Sequence, residues 1–159
     1  MTAASNSARL SALGLALPPV PAPAAAYVPA VRHGDLVIVS GQLPLADGAL
    51  LATGLVGDAA DEHDVDAAAG LARRCALNVL AAAASVAGGL DAIAAVLRVG
   101  VFVASGEGFT RQHLVANGAS QLFGEVLGPD AVHARAAVGV PRLPLDAPVE
   151  VEAMLTVRG

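Results

Sequence analysis

His-Ala-Arg-Ala-Ala-Val-Gly-Val-Pro-Arg-Leu-Pro-Leu-Asp-Ala-Pro-Val-Glu-Val-Glu-Ala-Met-Leu, residues 133–155, contains two strand-like runs joined by a proline-rich turn. Successive side chains of a strand point to opposite faces, so each run can be read by parity. In the second run Val149, Val151, Ala153, Leu155 and Val157 make an apolar face, which leaves Glu150, Glu152, Thr156 and Arg158 on the other. In the first, Ala136, Val138 and Val140 are assigned to the core, with Arg135, Ala137 and Gly139 opposite. Paired as a hairpin through Pro141 to Ala147, the runs would bring Arg135 and both glutamates onto one face. Only 14% of the chain is charged, so ionised side chains within apolar strands mark this segment as the place to look for chemistry.

Working back toward the N-terminus, Thr110 is a plausible cap for a helix presenting Leu114, Ala119, Leu122, Phe123 and Val126 until Gly128-Pro129 stops it. Ala94 to Ala104 reads as a buried strand, with Leu97, Val99, Val101 and Val103 on one face and Val96, Gly100 and Phe102 on the other. Acidic residues from Asp58 to Asp66 precede Ala68, Leu71, Cys75, Asn78, Val79, Ala82 and Val86, which recur at helical spacing until Gly88-Gly89. Tyr27 to Arg32 and Leu36 to Ser40 flank His33-Gly34-Asp35 as a hairpin, and a third short strand is expected around Ala49 to Leu55. The predicted order is β-β-β-α-β-α-β-β: an α+β domain with a mixed sheet of about six strands and two helices on one face. Residues 27–159 form that single domain, and 1–26 a Pro/Ala-rich arm with at most one short helix near Ser7 to Leu13. A sheet covered on one side, with strands apolar on both, calls for a second copy on the other.

Composition narrows the function. A net charge of −5, nine basic residues, one Tyr and three Phe make a poor footprint for nucleic acid. The single cysteine, Cys75, has no disulfide partner in the chain and fits a reducing, cytoplasmic compartment. Ala76 to Leu90, interrupted by Asn78 and Ser85, falls short of a membrane span. Leu10 to Leu17 superficially resembles a signal-peptide core but is too short and too weakly basic in front to be expected to act as one.

Arg135 beside the small Ala137 and Gly139 leaves room for a planar carboxylate on a permanently charged fork; the competing assignment is an ion pair with Glu150 or Glu152. His33, His63, His113 and His133 are too dispersed for a metal site, and His133, two residues before Arg135, either faces the same way as that arginine or, the preferred reading, is a strand-edge residue. Gly106-Glu107-Gly108-Phe109-Thr110-Arg111 lacks the third glycine of a dinucleotide fingerprint. Ser40-Gly41-Gln42 ends a strand where glycine allows a ligand close to the backbone, or is simply a strand exit. Tyr27 covers a pocket or packs the sheet, and Asn78 and Asn117 are hydrogen-bonding fixtures.

Tyr-Val-Pro-Ala-Val at 27–31, Val-Ser-Gly-Gln-Leu-Pro at 39–44, Leu-Asn-Val-Leu at 77–80 and the Ala-Arg…Leu-Pro…Val-Glu-Val-Glu-Ala end together resemble the RidA/YjgF family of enamine and imine deaminases. These proteins are also known as endoribonuclease L-PSP or translation inhibitor proteins. The resemblance, spanning about Tyr27 to Val157, implies a chorismate-mutase-like fold and a homotrimer with ligand pockets between subunits. It implies hydrolysis of 2-imino or 2-enamino acids to 2-oxo acids and ammonia, with no metal or organic cofactor. Carried over to this sequence, Arg135 grips the substrate carboxylate and Glu150 positions water. Tyr27 walls the pocket, Ser40, Gly41 and Ala137 line it, and Asn117 lies near the ligand. The alternative is a trimer of the same fold that binds a small ligand or a protein without turnover; ribonuclease activity ranks third. The sequence departs from the family at Ala25-Ala26-Tyr27-Val28-Pro29, where Gly-Pro-Tyr-Ser-Gln is usual. His133-Ala134-Arg135 replaces Pro-Ala-Arg, and Ala137 stands where a cysteine is common.

Overall fold

The computed structural model describes residues 4–20 and 26–159, apart from the side chain of Asp130. Helix α1 (Asn6–Ala12) begins at Ser5, whose side chain accepts from the Ala8 amide. Strands β1 (Ala30–His33) and β2 (Leu36–Gln42) pair antiparallel around Gly34, which takes the left-handed turn conformation with φ 60°. The predicted third strand is instead a separate ribbon of two short strands, β3 (Leu45–Ala46) and β4 (Ala49–Leu50). An Asp47-Gly48 turn, both residues at positive φ, is what folds that ribbon back on itself.

Helix α2 (Val65–Ala87) begins where the acidic run predicts: the Asp64 side chain accepts from the Ala67 amide at 2.8 Å, a cap contributing about 1 kcal/mol. It ends at Gly88 in the left-handed conformation. Helix α3 (Gln112–Leu127) starts two residues later than its expected cap. Arg111 occupies that position with no side-chain bond, so Thr110 does not cap it. Where Gly118 lies, α2 and α3 touch backbone to backbone, since a Cβ there would strike the carbonyl of Ala69.

The main sheet has five strands in the order β1-β2-β7-β5-β6, where β5 is Ile93–Ala104, β6 Ala134–Val140 and β7 Val149–Val157. The last two strands are therefore not a hairpin. Strand β5 lies between them, antiparallel to β7 and parallel to β6. A parallel pair needs a crossover, and α3 supplies it by carrying the chain from the end of β5 to the start of β6.

The parity of β7 holds along its length, with Val149, Val151, Ala153, Leu155 and Val157 buried. In β5 it fails at one end. Register shifts near Val96 and Arg98 insert an extra residue, so Val96 turns into the core and Leu97 out to 45% exposure. In β6 it is reversed, because parallel pairing sets Arg135, Ala137 and Gly139 beside the buried Val99, Val101 and Val103. Ala136 and Val138, expected in the core, lie on the open face instead, Val138 45% exposed.

Helices α1, α2 and α3 all contribute to the covered side. Leu10 of α1 is buried in the core, and Asn6, also buried, donates to the carbonyls of Leu90 and Ile93 at 3.1 and 2.9 Å. The N-terminal segment thus packs on the domain, with Leu15 and Leu17 partly buried against the same core. Asn78, on the inner side of α2, donates to the Leu43 and Leu45 carbonyls and pins the ribbon. Cys75 is buried, and desolvation, followed by the nearby Glu150 charge, pushes its thiol well up, as expected of a packing residue. Among the described residues no helix is long and apolar enough to cross a membrane.

Candidate functional site

The sequence-predicted site residues form two clusters on opposite faces of the sheet. The first sits at the β6 edge. Arg135 projects toward α3, not away from the helices as parity in a hairpin would have it. Its Nη1 donates to Asn117 Oδ1 at 3.0 Å and to Ser120 Oγ at 3.1 Å, and its Nη2 to the carbonyl of His113 at 3.0 Å. His113, Asn117 and Ser120 are spaced four and three residues apart, so a single face of α3 supplies all three acceptors. The guanidinium has five N–H groups, and three are committed. The Nε–H and one Nη2–H are left over among the described residues, although the side chain is exposed. Ala137, two residues on and facing the same way, is partly buried against the core and adds little bulk.

The second cluster lies on the open face where β2 meets β7. The register between these strands shifts between Val39 and Gln42, which places Ser40 and Gly41 in a bulge. A Cβ at Gly41 would collide with the Glu150 carboxylate, so the acid rests against bare backbone. Glu150 is half-buried. Desolvation, with the Glu152 charge second, pushes its carboxyl above the usual glutamate range. Ser40 donates from Oγ to the Val28 carbonyl at 2.8 Å and from its amide to Pro29, tying the bulge to the segment after Tyr27. Tyr27 itself precedes β1 and is 48% exposed.

Glu152 lies beside Glu150 on the open face, close enough for its charge to act on that carboxyl, and makes no contact with Arg135. Its carboxylate pairs with Arg98 at 3.2 Å over Gly100 on the open face. The ion pair that sequence offered as an alternative for Arg135 therefore exists, but with Arg98 as the cation. Among the described residues, no group of three or more His, Cys, Asp or Glu side chains could hold a metal ion. Sequence reasoning missed Ser120 and the His113 carbonyl, although helical spacing from Asn117 was a legible signal for both. His133 stands at the edge of β6, as expected, and also faces the Arg135 cluster, its Nε2 2.9 Å from Ser120 Oγ.

The sequence model of the family described as endoribonuclease L-PSP matches residues 19–157. The chain belongs to this family, the RidA/YjgF proteins. Protein TCP17 of Trypanosoma cruzi is 43% identical over 150 residues, covering 94% of this chain and 92% of its own. The crystal structure of Atu1372 from Agrobacterium tumefaciens, of unknown function, is also 43% identical. It superposes with a TM-score of 0.84 over 96% of this chain and 92% of that one. TdcF of Escherichia coli, solved with bound serine, is 27% identical with a TM-score of 0.59, covering 88% of this chain and 94% of that one. This L-PSP-family chain thus shares its α+β fold with proteins of several descriptions, and its own residues must supply the functional argument.

Proposed function

We propose that the chain is a hydrolytic deaminase of 2-imino and 2-enamino acids, working as a homotrimer whose pockets form between subunits. The observation that carries the reading is the division of the site. Arg135 offers an oriented cation with two spare donors, which suits the two oxygens of one carboxylate. Glu150 offers a partly desolvated carboxylate, which suits a group that holds or takes a proton from water. The sheet stands between the two in one protomer, so a single ligand can meet both only where a second copy contributes one of them.

The open face supplies the contact for that copy. Val31, Ile38, Leu97 and Val138 are exposed there, with Phe102 and Met154 half-buried among them, a patch that needs an apolar partner. In the assembled pocket the Arg135 fork fixes the substrate carboxylate, Asn117 and Ala137 line one wall, and Tyr27, Ser40 and Gly41 the other. Water positioned by Glu150 adds to the C=N carbon, and the nitrogen leaves as ammonia, giving the 2-oxo acid. Such an electrophile needs orientation and a polarised water more than a strong nucleophile. The serine bound to TdcF supports an amino-acid-like ligand class for the family.

The test is release of 2-oxo acid from dehydratase-generated 2-aminoacrylate or 2-iminobutyrate, with the mass of the assembly measured in solution. Acceleration by the wild type and its loss in Arg135→Ala are expected. A monomer, or a trimer that binds 2-oxobutyrate without accelerating release, would remove the deaminase reading.

A further inference from the structure

Behind Arg135 lies a chain of hydrogen bonds that the proposed reaction does not use. His133 Nδ1 is 2.5 Å from the carbonyl oxygen of Ala131, and its Nε2 is 2.9 Å from Ser120 Oγ. Ser120 Oγ in turn accepts from Arg135 Nη1 at 3.1 Å. With the imidazole neutral, the two ends of this chain fix its polarity. A carbonyl oxygen only accepts, so Nδ1 carries the proton of the neutral ring and Nε2 is left as an acceptor. The hydrogen between Ser120 and His133 is then the serine's. That turns the lone pairs of Oγ toward the guanidinium, which only donates. The imidazole is held in place from the side as well, edge-on to Phe123 with centroids 6.1 Å apart and planes at 82°. The proline that the resemblance would put at position 133 offers neither ring nitrogen, so the device belongs to the His-Ala-Arg form of the motif.

We infer that Ser120 and His133 are positioning residues for Arg135: by committing the serine hydrogen to the imidazole, they make Oγ a fixed acceptor. Together with Asn117 Oδ1 and the His113 carbonyl, this acceptor holds the fork with Nε–H and one Nη2–H free for a ligand carboxylate. The inference rests on Arg135 being the carboxylate anchor, and it concerns binding, not the reacting atoms. Its kinetic signature is a change in KM with kcat nearly unchanged.

Three variants separate positioning from packing. His133→Phe keeps a ring against Phe123 but removes both nitrogens, His133→Gln restores an acceptor near the Nε2 position, and Ser120→Ala removes the intermediate oxygen. With 2-iminobutyrate, KM is expected to rise about tenfold in His133→Phe and in Ser120→Ala, with kcat within about twofold, and to recover in His133→Gln. The double variant Ser120→Ala/His133→Phe should lose no more than either single one, since both break the same chain. Losses in kcat and KM alike that His133→Gln fails to rescue would overturn the assignment. A second readout needs no substrate. Long-range nitrogen–proton NMR should find His133 protonated on Nδ1, and an ordered Arg135 Nε–H resonance that broadens in His133→Phe and returns in His133→Gln. The opposite tautomer, or an Nε–H signal indifferent to all three variants, sinks the inference whether or not the wild type deaminates anything. Absence of turnover with the NMR pattern intact would instead sink only the deaminase reading.

Discussion

Arg135 and Glu150 sit on strands separated only by β5, yet the sheet treats them differently. The arginine lies on the helix side at an edge, where three acceptors from one face of α3 hold it. The glutamate lies on the open side, half-buried against Gly41, where desolvation raises its carboxyl. One charge is oriented by partners and the other is perturbed by their scarcity. A guanidinium keeps its charge in almost any surroundings, so what its setting can give it is direction. A carboxyl can be tuned across its titration, and partial burial does that.

The largest test removes the oriented member. Arg135→Ala should lower kcat/KM at least ~100-fold through loss of two charge-assisted hydrogen bonds, and Arg135→Lys should not restore it. If the halves meet across subunits, co-refolding inactive Arg135→Ala with inactive Glu150→Gln should return activity to mixed assemblies. No recovery in verified mixed trimers would place both halves in one protomer and contradict the divided site.

Two glycines sharpen the contrast between the faces. Gly118→Ala forces a methyl into the Ala69 carbonyl, so α3 must move away from α2 at a cost of about 1–3 kcal/mol, read as a fall in Tm. Because α3 bears Asn117 and Ser120, KM should rise with it. Gly41→Ala meets only the movable end of Glu150. Activity should drop about tenfold or more while Tm stays nearly unchanged. An equal loss of stability in the two variants would mean that the bulge is structural.

The smallest effect is a pH dependence. Folding raises the Glu150 carboxyl, so the native chain holds that proton more tightly than the unfolded one. Its stability contribution is complete below the ordinary glutamate range and is lost as pH rises through the folded value. Glu150→Gln should therefore match the wild type near pH 4 and exceed its Tm by about 1–2 °C at pH 7–8. A lower Tm for the variant at neutral pH would show that the ionised carboxylate is stabilised by partners.

The final strand was legible because both its neighbours keep register through most of it, and alternation alone sorted Val149 to Val157 from the glutamates. Helix α2 was legible because its caps, Asp64 and Gly88, are local features. Strand β6 was not: its inward face depends on which strand it pairs with and in which direction, and a turn of hairpin length between Val140 and Val149 suggested the wrong partner. Arg135 stood out as a charge in an apolar strand and Asn117 as a hydrogen-bonding fixture, and the resemblance added their ligand roles, whereas their hydrogen bonds to each other and to Ser120 required the helix to be set on the sheet.

By itself the sequence determined the α+β class, the limits of α2 set by its local caps, the apolar face of β7 and the family. Each is written in short-range periodicity, capping chemistry or motif order. Only the tertiary structure decided that β5 separates the last two strands, that Arg135 and Glu150 face opposite ways, and that His133 stands behind Arg135 through Ser120. Strand order and the sides of a sheet are fixed by long-range pairing and by the burial of one face, and no local pattern encodes which distant segment will be the neighbour.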